Sequence, residues 1–180
     1  MRKLYLFNMI TLDGYFEGPN RNIDWHRTDN EFNDFAVDQL NNTDMVLFGR
    51  ITYELMAPYW PTEQAKRSDP VVALLMNTIR KVVFSRTLRS AEWENTQLIT
   101  EYVKEEIDRL KRQPGKDIAI FGSANLAASV NDLIDEYRIM VNPVILGSGR
   151  PLFSSPDNSR NLTLTESRTF ANGNVLLYYR

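Results

Sequence analysis

The stretch from Lys116 to Val130 constrains this chain more than any other. Ile118 to Phe121 is a continuous apolar run with the length and character of a buried strand. Gly122 then lets the chain turn sharply, and Leu126, Val130, Leu133 and Ile134 follow at helical spacing. A strand apolar throughout needs shelter on both faces, which a sheet covered by helices provides. The junction also aims backbone N–H groups and the positive end of a helix at one spot, a setting suited to an anion such as a pyrophosphate. A lone glycine between strand and helix serves equally as a plain turn, so the rest of the chain decides.

The same alternation runs through most of the 180 residues. Lys3 to Ile10 reads as a first strand, ended by Thr11-Leu12-Asp13-Gly14. Thr28 and Glu31 form a capping box that opens a helix with Phe32, Phe35, Ala36 and Leu40 inward. Met45 to Phe48 is a second buried strand, and Gly49 turns the chain into a short helix from Arg50 to about Ala57. Ser68-Asp69-Pro70 starts another helix, carrying Val71, Leu74, Leu75 and Ile79. Lys81 to Phe84 and Thr96 to Ile99 are strands, and Glu101 to Arg112 is an amphipathic helix with Val103, Ile107 and Leu110 inward. Past the central stretch, Asp135 to Val141 and Val144 to Leu146 are strand-like. Leu162 to Phe170 and Val175 to Tyr179 alternate about a hairpin turn at Ala171 to Asn174. The pattern predicts one α/β domain over residues 1–180, with a mixed, mostly parallel sheet and an antiparallel C-terminal hairpin at an edge. Ligands of such sheets sit beyond the carboxyl ends of the strands.

Composition narrows the partners. A net charge of −2 gives no reason to expect nucleic acid or an anionic membrane. The absence of cysteine excludes disulfides, thiolate metal sites and a cysteine nucleophile, and fits a cytoplasmic protein. The basic pair Arg2-Lys3 precedes too short an apolar stretch for a signal peptide, and no run approaches a membrane span.

Three strand ends carry what an anionic dinucleotide requires. Gly49, Arg50 and Thr52 combine a glycine turn, a guanidinium and a hydroxyl at a helix start. Ser85 and Arg86 end the next strand with a hydroxyl and a second guanidinium, as a ribose 2′-phosphate demands, and Gly122 to Asn125 supply the third. Each has a plainer reading: a turn glycine, a solvated arginine, a polar strand terminus. Their repetition after separate strands favours a nucleotide site. His26, the only histidine, lies in a polar loop and reads as solvated. Tyr59 and Trp60 suit either a substrate mouth or loop packing.

The order of these pieces resembles the dihydrofolate-reductase-like superfamily, specifically the branch related to the C-terminal reductase domain of bacterial riboflavin biosynthesis. The residues carrying the resemblance are Thr11 to Gly14, Phe48 to Glu54, Lys81 to Thr87, Ile120 to Ser123 and Asn142 to Phe153. It implies a three-layer α/β/α fold and NADPH as hydride donor, without metal. By matching motif, Gly49, Arg50 and Thr52 would hold phosphates, Ser85 and Arg86 the 2′-phosphate, and Gly122, Ser123, Ala124, Asn125 and Leu126 the pyrophosphate. Ile10 and Thr11 would flank the nicotinamide, with Asp13, Asp24 and Glu31 as candidate proton donors. In its Asp-Gly turn Asp13 suits backbone bonding as well.

Members of this branch commonly pair as homodimers and act on a small heterocycle or ribosylamino-pyrimidine. Two positions depart from the pattern. Tyr15 stands where the riboflavin-pathway reductases have a lysine, and the carboxylate offset of dihydrofolate reductases falls near Asn30. A dihydrofolate reductase and a non-catalytic dimeric nucleotide-binding module therefore stay open beside the pyrimidine reductase.

Overall fold

The computed structural model describes residues 1–153 and 159–180. Among these, the strands are β1 (Leu4–Thr11), β2 (Tyr15–Glu17), β3 (Thr43–Gly49), β4 (Arg80–Phe84), β5 (Thr96–Ile99), β6 (Asp117–Phe121), β7 (Glu136–Asn142), β8 (Arg150–Pro151), β9 (Leu164–Thr169) and β10 (Val175–Tyr179). The α-helices are α1 (Asn30–Asn41), α2 (Arg50–Met56), α3 (Glu63–Ser68), α4 (Pro70–Thr78), α5 (Val103–Arg112) and α6 (Ala124–Ser129). The main sheet runs β5-β4-β3-β6-β1-β7-β10-β9. Its first six strands are parallel, and β10 is antiparallel to both β7 and β9. β2 and β8 pair separately as a two-stranded ribbon.

The period-two alternation of strand side chains sorts the core into two layers. Leu4, Leu6, Met45, Leu47, Ile118 and Ile120 meet Ile107 and Leu110 of α5 and Leu126 of α6. The intervening Tyr5, Val46, Phe48, Ala119 and Phe121 meet Leu40 of α1, Tyr53 of α2 and Met76 of α4. The result is the expected three-layer α/β/α arrangement. Each fully buried Leu, Ile, Val or Phe side chain contributes about 1.5–3 kcal/mol. Because β1, β3, β4 and β6 are parallel, the residues that follow them gather along one rim.

Several local expectations are corrected. The Thr28–Glu31 capping box does not form: Asp29 caps α1, its carboxylate accepting from the Phe32 amide at 2.9 Å, and Glu31 turns away to Arg168. The buried face of α4 is Val72, Ala73 and Met76, whereas Val71 and Leu74 are 53% and 62% exposed. Ala73 has no exposure at all, and α4 lies against both α1 and α3. The helix after Gly122 is short, ending at Ser129 in a tightened turn where the Val130 amide reaches both Leu126 and Ala127 carbonyls. Val144 to Leu146 is loop rather than strand. Its backbone is satisfied instead by Leu12 N–H to the Val144 carbonyl and by Asp13, and the ribbon strand is Arg150–Pro151.

Candidate functional site

The rim opens on a cleft of about 790 Å³. Gly49, Arg50 and Thr52 line it from the β3–α2 junction, Ser85 and Arg86 from the end of β4, and Gly122 to Leu126 from the β6–α6 junction. The three predicted strand ends therefore meet in one place.

Ser123 ties two of them together. Its hydroxyl oxygen accepts from the Gly49 amide at 2.7 Å and its proton points to Thr52 Oγ1 at 2.9 Å. The Gly49 N–H and the Thr52 hydroxyl are thus engaged in joining β3 to β6. Gly122 has φ +58°, and a Cβ there would stand 2.8 Å from Thr52 Cγ2 and 2.9 Å from Oγ1. Only glycine lets the turn lie this close to α2. Ser123 follows in the same left-handed region at φ +62°, so two successive residues swing the chain into α6.

The cations differ in how far they are compensated. Arg50 Nη1 lies 3.0 and 2.8 Å from the two carboxylate oxygens of Glu54. Arg86 is exposed on a turn fixed by Ser85, whose Oγ accepts from the Thr87 amide at 3.1 Å and the Leu88 amide at 2.9 Å. Among the described residues Arg86 has no ion pair or side-chain hydrogen bond. Arg150, from the ribbon, reaches Asn125 Oδ1 at 2.5 Å.

The cleft walls also carry the apolar and aromatic side chains of Phe7, Met9, Phe16, Phe32 and Trp60. Two polar features interrupt them. Asn33 donates to Asp69 Oδ1 at 2.5 Å, and Asp69, although at the N-cap of α4, makes no side-chain cap bond. His26, expected in solvent, instead lines the cleft edge-on to Trp25, with ring centroids 4.4 Å apart and Nε2 buried without a partner.

Burial holds the His26 imidazole down to about 4, so it is neutral at pH 7. An unfolded histidine titrates near 6.5, so on acidification the unfolded chain takes up a proton that the native state refuses. Stability should therefore fall by roughly 2–3 kcal/mol from this group as the pH drops from 6.5 to 4. Urea unfolding at pH 7 and pH 4.5 should show that loss in the wild type and its near absence in His26→Phe.

Five predicted residues lie outside the cleft. Thr11 is fully buried and accepts from the Tyr15 amide at 2.9 Å, and Ile10 packs into the core. Asp13 accepts from the Leu146 amide at 3.2 Å and the Gly147 amide at 2.8 Å. The Thr11 hydroxyl, then these amides, hold its carboxyl below the usual range. Glu31 accepts from the Ala171 amide and from Arg168, which likewise lower its pKa. Both carboxyls serve as hydrogen-bond acceptors that tie distant loops together. The structure thus sets Asp13 and Glu31 apart from the residues that line the cleft. Asp24 pairs with Asn22.

Sequence reasoning missed His26, the Asn33–Asp69 pair and Arg150 as cleft residues. Arg150 alone had a signal: the glycines at 147 and 149 mark a tight approach beside it. Among the described residues no His, Asp and Glu group is arranged to hold a metal, and no helix is long and apolar enough to cross a membrane.

Comparison with known proteins places this geometry. The family model described as the RibD C-terminal domain matches residues 2–176. The uncharacterized protein YyaP of Bacillus subtilis (strain 168) is 35% identical, the match covering 99% of this chain and 94% of YyaP. YwjB of the same organism, also uncharacterized, is 33% identical, covering 99% and 98%. A riboflavin biosynthesis protein from Shewanella sp. PV-4, called putative in its own description, superposes with a TM-score of 0.74 at 21% identity, covering 98% of this chain and 97% of that one. A diaminohydroxyphosphoribosylaminopyrimidine deaminase/5-amino-6-(5-phosphoribosylamino)uracil reductase from Thermotoga maritima gives 0.70 at 18% identity, over 99% of this chain and 56% of that one. At those identities the two structures share the fold.

Proposed function

The chain belongs to the RibD C-terminal domain family, and from that membership we propose that it is an NADPH-dependent reductase of a small, flat heterocycle. The observation that carries the reading is the meeting of Gly49, Arg86 and Gly122 on one cleft beside an aromatic chamber. The residues present fit a phosphorylated dinucleotide: a bare Gly122 pressed against Thr52, and an uncompensated guanidinium at Arg86. Arg86 and the Ser85 hydroxyl proton would hold a 2′-phosphate, and the backbone entering α6 would lie along the diphosphate.

When bound, the reduced nicotinamide supplies a hydride. The chain's own share is to orient the acceptor and exclude water, which Phe7, Met9, Phe16, Phe32 and Trp60 would do as apolar walls of the cleft. Of the carboxylates in the cleft, Glu54 faces Arg50, Glu17 faces Arg150, and Asp69 is held by a neutral amide. Asp69 is the group placed to exchange a proton with the product. The likeness to an aminouracil reductase points to acceptors of the aminopyrimidine kind.

Titrating NADPH against intrinsic tryptophan fluorescence tests the reading: saturable quenching is expected, and a flat response would end it. Gly122→Ala should weaken binding by about tenfold or more through left-handed strain and the clash with Thr52. Adding Thr52→Ala should restore part of it. A non-catalytic nucleotide-binding module is the second reading, favoured by the placement of Asp13 and Glu31 outside the cleft. Binding of NADPH without its oxidation across aminopyrimidines and pterins would select it.

A further inference from the structure

We propose that Arg150 is the phosphate clamp of the cleft, a guanidinium on the β2–β8 ribbon that exchanges Asn125 for the diphosphate of a bound dinucleotide. The inference rests on the nucleotide-binding reading above and adds which residue grips the diphosphate.

Arg50, the arginine nearest the β3–α2 turn, already faces both oxygens of Glu54. Arg150 is only partly exposed, and its closest partner is the neutral amide oxygen of Asn125 at 2.5 Å. Its one carboxylate contact among the described residues, Glu17 Oε1, is long at 3.5 Å. A guanidinium held by a neutral oxygen gains when an anionic oxygen takes that place, because the new bond is charge-assisted and shorter. Asn125 is the second residue of α6, directly after the left-handed pair Gly122 and Ser123. The Asn125 oxygen therefore marks where a phosphate oxygen would meet Arg150.

The ribbon fixes the guanidinium there. Gly149 has φ +155°, and a Cβ on it would stand 2.4 Å from the Glu17 carbonyl oxygen, so no other residue permits the two strands to close. Leu152, two residues beyond Arg150, is buried in the main core and anchors the far end. Phe16, on the paired strand, lines the cleft. The ribbon that carries Arg150 thereby also walls the cavity through Phe16.

The test uses two ligands, NADPH and adenosine 2′-monophosphate, which has the 2′-phosphate and no diphosphate. Their Kd values are measured for the wild type, Arg150→Ala and Arg150→Gln, the last keeping a donor for Asn125 without the charge. Arg150→Ala and Arg150→Gln should each lose roughly 10- to 100-fold in NADPH affinity while binding adenosine 2′-monophosphate within about threefold of the wild type. Arg150→Lys should recover part of the loss. Tight NADPH binding by the wild type and equal binding by Arg150→Gln would overturn the clamp and leave the nucleotide site standing. Equal losses for both ligands would show a purely structural role and overturn it too. Absence of NADPH binding by the wild type would remove both readings together.

Discussion

Replacing Lys81 with methionine should cost the fold about 3 kcal/mol at neutral pH. Lys81 is fully buried on β4, and its ammonium donates to the carbonyls of Met76, Asn77 and Ile79 at 2.9, 3.1 and 2.8 Å. These are carbonyls at the C-terminal end of α4, where helix carbonyls lack intrahelical partners and a cation complements the dipole. The ammonium also lies 4.5 Å from the centre of the Trp93 ring. Burial pushes its pKa down to about 8, which still leaves it protonated at pH 7. Methionine fills similar volume but strands these carbonyls in a dry setting, so the loss comes from unmade hydrogen bonds rather than from a cavity. For a domain of this size the melting temperature should drop by about 6–12 °C. A drop below 2 °C would mean that water satisfies those carbonyls.

The second large effect concerns the cofactor. Arg86→Ala should lower NADPH affinity by roughly 10- to 100-fold and leave NADH affinity nearly unchanged, abolishing the preference for the phosphorylated form. The expectation follows from position: the Ser85 turn fixes the backbone that bears Arg86, and no described acid neutralises it. Raising salt should shrink the difference, since the guanidinium is exposed and screened. Equal losses for both cofactors would place Arg86 elsewhere than at the 2′-phosphate.

What was legible in the sequence was whatever a short period encodes. Leu4 and Leu6 against Tyr5, or Ile118 and Ile120 against Ala119, announce both faces of a covered strand. Parallel strands then bring their ends to one rim, so Arg50, Arg86 and Gly122 could be placed together before any coordinates. Other features were not legible for physical reasons. The ribbon strands span three and two residues, too few to show a period. Helix α4 is apolar on several sides, so its sequence does not select Val72 and Met76 over Val71 and Leu74; packing does. The sequence offers Asp13 local backbone bonding in its turn. Its partners at Leu146 and Gly147, and those of Glu31 at Arg168 and Ala171, lie more than 130 residues away, beyond any local pattern. His26 lies on the wall of a cleft assembled from strand ends distant in sequence, which a polar loop composition conceals.

Backbone amide chemical-shift mapping during an NADPH titration tests the central claim most directly. The account predicts that the amides of Gly49, Arg86, Gly122 and Ser123 move together, saturating with one Kd. Shifts confined to the opposite edge of the sheet, or to only one of these strand ends, would contradict it.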